Sequence, residues 1–393
     1  MKKFFKKLHL WLSVPFGIVI TLICFSGATL VFEDDITEAL NPQIYKVEAK
    51  AGAQPMKPSE IVKRVKAQVP DTLVLSSISI PAAKDEPYMV GFDNVRRRQL
   101  SVNQYTGEVQ GWTPQYPFFR TMLKLHRWLL DPPARKGAGS VGKYVVGVST
   151  LMFVFVLVSG VVIWWPRRRK QLKDRLTFPL NKGWWRLWYG SHLALGIYAT
   201  VFLLLMALTG LTWSFGWYRT AAYSLFGADM SKGKKEMPKG MDGKAGGHGR
   251  KDGRNHKEGG KPSGQGHDGE EKPAVNTLAW DNALSQLESK YASFASIQLK
   301  ADEATVIKSN GGATRKSENA KFDPSNGAIE KVETSDKAPR QRVLKGAFYS
   351  FHTGRWGGLF TQILYFLSAL IGALLPLTGY YLWIKRITRK RRR

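Results

Sequence analysis

The sequence predicts an α-helical membrane protein with four transmembrane helices and two small α+β domains outside the membrane. Three observations predict this class: long apolar segments, a repeated order of elements in the two halves, and basic residues concentrated in three short pieces. The 393 residues include 59 Lys and Arg against 30 Asp and Glu, so the formal charge is +29. The single cysteine, Cys24, excludes an intramolecular disulfide and any metal site built from cysteines.

Four segments are apolar on every side, uncharged and long enough to cross a bilayer core, which needs about 20 helical residues. They are Leu10–Phe32, Tyr144–Trp165, Leu193–Phe215 and Leu359–Ile384. The alternative for the first segment is a cleaved signal peptide, because Met1–Lys7 is basic and Ser26, Gly27 and Ala28 are small. Its apolar run is longer than a usual signal-peptide core, so we favour an uncleaved anchor.

The basic residues orient these spans. Met1–Lys7, Arg167–Arg186 and Lys385–Arg393 together hold 19 basic residues and one acid, Asp174. Short cytoplasmic loops are enriched in Lys and Arg, which predicts that all three pieces and both termini are cytoplasmic. In a diderm bacterium the chain is then a multi-pass inner-membrane protein with periplasmic segments at 33–143 and 216–358. The positive charge is explained by topology and by contact with membrane lipid, and it does not indicate nucleic-acid binding.

The predicted organisation divides the chain into six parts. They are the inner terminus and first span (1–32), the first periplasmic domain (33–120), the outer histidine segment and second span (121–175), the inner loop and third span (176–215), the second periplasmic domain (216–345), and the outer histidine segment, fourth span and basic tail (346–393).

Each periplasmic segment reads as one helix on a short antiparallel sheet. Helical spacing predicts helices at 58–69 and 279–291, and a glycine turn follows the strands at 103–109 and 323–329. The predicted strands are 72–80, 87–93, 98–103, 294–299, 304–308 and 319–323. The stretch 227–273 is rich in Gly and Lys and has almost no apolar residues, so we interpret it as a disordered insert. Weak metal capture by His248, His256 and His267 is the alternative.

Four of the seven histidines recur in the same order in both halves. His9 and His192 stand at the inner ends of two spans, and His126 and His352 stand just outside the membrane. Any one of them could be an ordinary interfacial polar residue. Their recurrence favours two haem b groups, each held by two imidazoles, with an inner pair (His9 and His192) and an outer pair (His126 and His352). Iron with both axial positions filled favours electron transfer over oxygen chemistry.

Small and basic residues accompany the histidines. Gly27 and Gly210 lie 18 residues after the inner histidines, about 27 Å along a helix, which brings them towards the outer pair. Gly160 and Gly379 lie towards the inner pair. We predict that these glycines make room for a flat porphyrin, or alternatively serve ordinary helix packing. The candidate partners of the haem propionates are Lys7, Arg127, Arg186 and Arg355, whose alternative role is interfacial charge.

No other catalytic constellation is present in the sequence. Phosphate-binding loops, dinucleotide fingerprints, zinc-protease motifs and nucleophile elbows are all absent. The four spans contain no acidic residue, which argues against a proton-coupled transporter. Electrons would therefore come from a separate donor, such as quinol or a cytosolic reductase.

The order of the motifs resembles the PepSY-associated transmembrane family over nearly the whole chain outside 227–273. The residues that carry the resemblance are His9–Leu12, Lys124–Trp128, Val158–Gly160 with Trp164–Pro166, Ser191–Gly196, Leu208–Trp213, Phe351–His352 and Leu377–Gly379. This family is associated with bacterial iron uptake, and some members are haem-containing inner-membrane reductases of ferric siderophores.

The resemblance implies PepSY-like periplasmic domains and a ferric-siderophore reductase, an oxidoreductase whose substrate is a ferric siderophore or another ferric chelate. Residue spacing alone leads only to a two-haem membrane electron carrier. The alternative is a non-enzymatic membrane protein whose outer domains bind a peptide or protease, or sense the state of the envelope. The catalytic residues and the chelate-binding residues are not identified by the sequence.

Overall fold

A computed structural model describes residues 1–49, 52–95, 97–134, 138–166, 168, 171–178, 183–228, 275–308, 317–334 and 338–391. The helices in chain order are α1 (Lys2–Leu30), α2 (Glu33–Leu40), α3 (Pro42–Tyr45), α4 (Pro58–Lys66), α5 (Pro117–Trp128), α6 (Val141–Trp164), α7 (Gln171–Leu176), α8 (Trp184–Ser214), α9 (Gly216–Leu225), α10 (Thr277–Lys290), α11 (Arg340–Thr353) and α12 (Gly358–Arg391), with a 3₁₀ turn at Arg355–Gly357. The strands are β1 (Leu75–Pro81), β2 (Tyr88–Phe92), β3 (Gln99–Val102), β4 (Val109–Trp112), β5 (Ser296–Leu299), β6 (Glu303–Ile307), β7 (Ser317–Phe322) and β8 (Ile329–Glu333).

Four helices are long and apolar enough to cross a membrane: α1, α6, α8 and α12. They confirm the four predicted spans, although α1 already begins at Lys2, eight residues before the predicted apolar start. The helices form a bundle in which α1 and α8 each pack against both α6 and α12. The centre of the bundle is filled by apolar side chains, among them Ile20, Phe153, Leu157 and Leu203.

The sequence predicted one short antiparallel sheet in each outer segment and did not predict that the two sheets join. The structure has one eight-stranded antiparallel sheet with the order β4-β3-β2-β1-β5-β6-β7-β8. The half-sheets join where Ile78 of β1 lies opposite Leu299 of β5. Each half-sheet alone would leave these strands as open edges, and an open edge presents unpaired backbone groups that bind another strand.

Helices α4 and α10 lie next to each other and share one apolar core with the joined sheet. Ile61 and Val65 from α4 and Trp280 and Leu287 from α10 are all almost fully buried. The two helices are also tied by polar contacts, because the Ser59 backbone N–H donates to Asp281 Oδ1 at 2.9 Å. The two halves therefore fold as one extramembrane unit.

The sequence analysis missed β4 and β8, which follow the two predicted glycine turns. The turns themselves are confirmed: the backbone N–H groups of Gly107 and Gly327 donate to the carbonyls of Asn103 and Asp323, and both glycines have positive φ values, 69° and 76°. The following residues are few and mixed in polarity, so no strand pattern marks them.

Two predicted boundaries divide helices. The boundary between 120 and 121 falls inside α5, and the boundary between 345 and 346 falls inside α11. Most of the predicted insert 227–273, including its three histidines, lies outside the described residues. Ala228 at its start is ordered, because it is 3% exposed and its N–H donates to the Tyr223 carbonyl.

Candidate functional site

The four recurring histidines form two close pairs at opposite ends of the bundle. The ring centres of His9 on α1 and His192 on α8 are 6.5 Å apart, with the planes at 89°. The ring centres of His126 on α5 and His352 on α11 are 6.0 Å apart, with the planes at 51°. Each pair joins one histidine from each half of the chain, as the sequence analysis expected. Helix α1 links the two ends, since it carries His9 and also contacts the ring of His126.

The outer histidines lie in the last turns of two short helices. Helix α5 begins at Pro117, which is favoured at the first helical position because its missing N–H and fixed φ cost nothing there. Helix α11 ends at Gly354, whose φ of 76° is the left-handed conformation that favours glycine. A Cβ atom on Gly354 would lie 2.6 Å from Cγ of Tyr365, so the close packing of this end also requires glycine.

Every one of the four imidazoles is held through Nδ1 by the helix beside it. In three cases the acceptor is a backbone carbonyl oxygen that lies three residues before a hydroxyl residue. For His192 the partner is the Thr378 hydroxyl, at 2.7 Å. The three carbonyl contacts are His9 to Val156 (3.0 Å), His126 to Ile23 (2.9 Å) and His352 to Met206 (2.9 Å).

In all four cases the side-chain hydroxyl donates a hydrogen bond to the backbone carbonyl oxygen three residues earlier in its own helix. Ser26, Ser159, Thr209 and Thr378 bond to the carbonyls of Ile23, Val156, Met206 and Leu375, respectively. The hydroxyls of Ser159 and Thr209 also lie 3.1 and 3.2 Å from Nδ1 of His9 and His352. Each repeated Ser/Thr–Gly dipeptide therefore marks the place on a helix where an imidazole ring binds, and we call this place the seat of the ring. The sequence analysis did not assign this role to the hydroxyl residue.

The glycines lie against the histidine rings. In the structure each of the four glycines faces an imidazole, and the predicted room for a porphyrin stays a prediction. A Cβ atom would approach Cε1 of the facing histidine to 2.9 Å at Gly27, 3.1 Å at Gly210, 3.5 Å at Gly160 and 3.8 Å at Gly379. A side chain at the first two positions would displace the ring.

The pairs fit haem iron by their geometry and by their donor set. In His9, His126 and His352 Nδ1 donates to a carbonyl oxygen, so Nε2 carries the lone pair. Within the described residues, no hydrogen bond reaches Nε2 of any of the four rings. A metal–nitrogen bond of about 2 Å, with the ring centre about 1.1 Å further on, places two opposed imidazole centres roughly 6 Å apart. The observed 6.0 and 6.5 Å agree with this separation.

Each pair offers only two ligands to a metal. No group of three or more His, Cys, Asp and Glu side chains that could hold a bare ion occurs among the described residues. Iron with two protein ligands needs its remaining positions filled by another group, and the four nitrogens of a porphyrin fill them. The donor set therefore suits haem better than a free metal ion.

The four predicted propionate partners occupy different surroundings. Lys7 and Arg186 are exposed near the inner pair. Arg355 Nη2 lies 2.6 Å from Asp34 Oδ2, so this cation is already paired. Arg127 Cζ lies 4.6 Å from the centre of the Trp128 ring. Partial burial lowers the pKa of the Arg127 guanidinium, and the positive charge of Arg97 lowers it further.

The sequence analysis missed one neighbour of the outer pair. The Trp213 ring centre lies 5.1 Å from that of His352. Trp213 follows Thr209 by one helical turn, and this spacing on one helix face could have identified it.

The glycine geometry predicts a graded mutational effect. Gly27→Ala should displace His126 because the new Cβ would lie 2.9 Å from its ring. With one haem predicted at each histidine pair, the haem content should then fall from the predicted two towards one per chain. Gly379→Ala is the matched control, since its Cβ would meet His192 at an ordinary 3.8 Å. Haem and protein would be quantified in both purified variants. Equal haem content in the two would contradict the proposed seating of the rings.

The comparisons with known proteins agree with the observed architecture. Residues 6–386 match the family described as the PepSY-associated TM region. The search of curated proteins gave no match.

Proposed function

Since this chain belongs to the PepSY-associated TM region family, we propose that it is an inner-membrane di-haem b protein that moves electrons across the membrane to reduce Fe(III). The substrate is a ferric chelate, in particular a ferric siderophore, and the process is bacterial iron uptake. The observation that carries this proposal is the pair of facing histidines at each end of one four-helix bundle. Two sites at opposite ends suit transfer through the membrane, and a single site would not.

The charge distribution supports the direction. In the sequence, the basic pieces at 1–7, 167–186 and 385–393 adjoin the same ends of the four spans as His9 and His192. By the positive-inside tendency this end is cytoplasmic, and the sheet and the outer pair are periplasmic. An electron that enters at the inner pair then leaves on the side where ferric chelates arrive.

The residues of the chain have defined tasks in this scheme. Haem held by two imidazoles supplies one-electron transfer between Fe(III) and Fe(II) without an open iron position for oxygen. The carbonyls of Val156, Ile23 and Met206 fix the tautomer and the orientation of three of the rings. The apolar side chains around Ile20 and Leu203 keep water out of the bundle centre.

The electron balance is simple. Each ferric chelate takes one electron and becomes Fe(II), so a quinol that releases two electrons and two protons serves two chelates, and a cytosolic reductase would deliver its electrons singly. Fe(II) binds hard oxygen ligands more weakly than Fe(III), so reduction releases the iron from the siderophore.

An absorption spectrum of the purified protein tests the proposal. From haem-replete cells we expect a red protein with a sharp Soret band that shifts on reduction, and about two haems per chain. A His248→Ala variant, altered in the insert, is the control and should match the native spectrum. A colourless native protein would overturn the proposal and favour a non-enzymatic role in binding peptides or sensing the envelope.

A further inference from the structure

One of the four seats differs from the other three in the group that accepts the hydrogen bond of the imidazole ring. The other three rings donate from Nδ1 to a backbone carbonyl oxygen at 2.9 to 3.0 Å. Nδ1 of His192 instead lies 2.7 Å from the Thr378 hydroxyl oxygen, the shortest of these four contacts. The Leu375 carbonyl also faces this ring, but among the described residues only the hydroxyl meets the geometry of a hydrogen bond with it.

The bonds of the Thr378 hydroxyl decide which nitrogen of His192 carries the proton. A hydroxyl group has one proton to donate and two lone pairs that accept. The Thr378 proton goes to the Leu375 carbonyl oxygen at 2.8 Å, so towards the ring the hydroxyl oxygen can only accept. Nδ1 of His192 is therefore the protonated nitrogen, and Nε2 keeps the lone pair that a metal requires. A hydroxyl that donates to a carbonyl is also polarised into a better acceptor.

The facing histidine of the inner pair does not depend on its hydroxyl in this way. The Ser159 hydroxyl lies 3.1 Å from Nδ1 of His9, but the Val156 carbonyl accepts from the same nitrogen at 3.0 Å. Loss of the serine hydroxyl would leave this carbonyl in place. Loss of the Thr378 hydroxyl would leave no group in hydrogen-bond geometry with His192 among the described residues. Thr378 is 7% exposed, so bulk water cannot replace its hydroxyl.

We propose that Thr378 is a positioning residue, which keeps His192 in the tautomer that binds iron and sets the reduction potential of the inner haem. The inference rests on the proposed function for the presence of that haem, and it deepens the function by naming a residue that controls the entry of electrons. A hydrogen bond from Nδ1–H increases the electron density that an imidazole gives to iron, which favours Fe(III) over Fe(II). Loss of the hydroxyl should therefore raise the potential.

Spectroelectrochemistry on the purified full-length protein tests this inference. The inner haem is identified as the component that His9→Ala removes. Thr378→Val keeps the shape of the side chain without its hydroxyl, and it should shift the inner haem about tenfold towards Fe(II), which is about 59 mV for one electron. The potential of the outer haem should not change. Thr378→Ser should restore most of the shift, and Ser159→Ala should shift the inner haem less than Thr378→Val does.

The matched control is Thr200→Val, which removes another buried hydroxyl from α8 that donates to the Gly196 carbonyl of its own helix. It should leave both potentials unchanged. A native potential in Thr378→Val, an equal shift in Ser159→Ala, or no recovery in Thr378→Ser would each overturn the inference. If Thr378→Val loses the inner haem altogether, retention of that haem by Thr378→Ser supports the inference and its loss overturns it.

The experiment separates this inference from the proposed function. A protein that holds two haems but does not reduce a ferric chelate would overturn the proposed function, while the potentials of the variants would still decide the role of Thr378. Two haems that ignore Thr378→Val would overturn the role of Thr378 alone. A colourless protein would overturn both.

Discussion

Replacing His9 or His192 with alanine should abolish electron transfer from the inner to the outer face of sealed vesicles. The carbonyl oxygen of Ile23 on α1 holds the His126 ring. His9 lies fourteen residues before Ile23 on the same helix, so the two positions are about 21 Å apart along the helix axis. The apolar core that an electron must cross is about 30 Å thick, so neither pair alone bridges it. Removing one inner ligand breaks the relay at its entry, while the outer pair remains intact.

The measurement uses right-side-out vesicles with an electron donor enclosed and a ferric chelate outside. A membrane-impermeant chelator traps external Fe(II), and stopped-flow spectroscopy follows the haem bands. The His9→Ala protein should produce no external Fe(II), yet its outer haem should still exchange electrons with an external reductant. His248→Ala serves as the control and should transfer electrons as the native protein does. Undiminished Fe(II) production by the inner variants would show that electrons enter elsewhere, and the two-site relay would have to be abandoned.

His126→Ala or His352→Ala should each remove about one of the two haems and leave the inner one in place. After the loss of one imidazole, only one histidine of the pair could bind the haem iron. A haem bound through one histidine is bound more weakly than a haem bound through two. The two outer variants should look alike because both remove a ligand of the same group. Haem per chain and the reduced-minus-oxidised spectrum would be measured for all four single variants.

Trp213→Phe is the control for the outer variants, since Trp213 contacts the His352 ring but offers no ligand. It should keep both haems. If every one of the four histidine variants retains two haems with unchanged spectra, the ligand assignment is wrong even though the rings face each other.

The amino-acid sequence by itself determined the membrane architecture. A helix satisfies its own backbone hydrogen bonds, so an apolar run of sufficient length specifies a span without information from elsewhere in the chain. The same locality applies to the glycine turns at Gly107 and Gly327, where a tight turn requires a positive φ. The recurrence of His9, His126, His192 and His352 in two halves was also enough to predict which rings would face each other.

Only the tertiary structure decided how the half-sheets and the charged groups meet. The joining of β1 to β5 depends on two edge strands that are far apart in sequence, so no local pattern indicates it. Arg355 and Asp34, which form an ion pair, are 321 residues apart in the sequence. Electrostatic and packing contacts of this kind depend on distance in space, whereas sequence patterns report only on neighbours along the chain. For that reason the hydrogen bonds that hold the histidine rings and the pairing of Arg355 with Asp34 became visible only in the folded molecule.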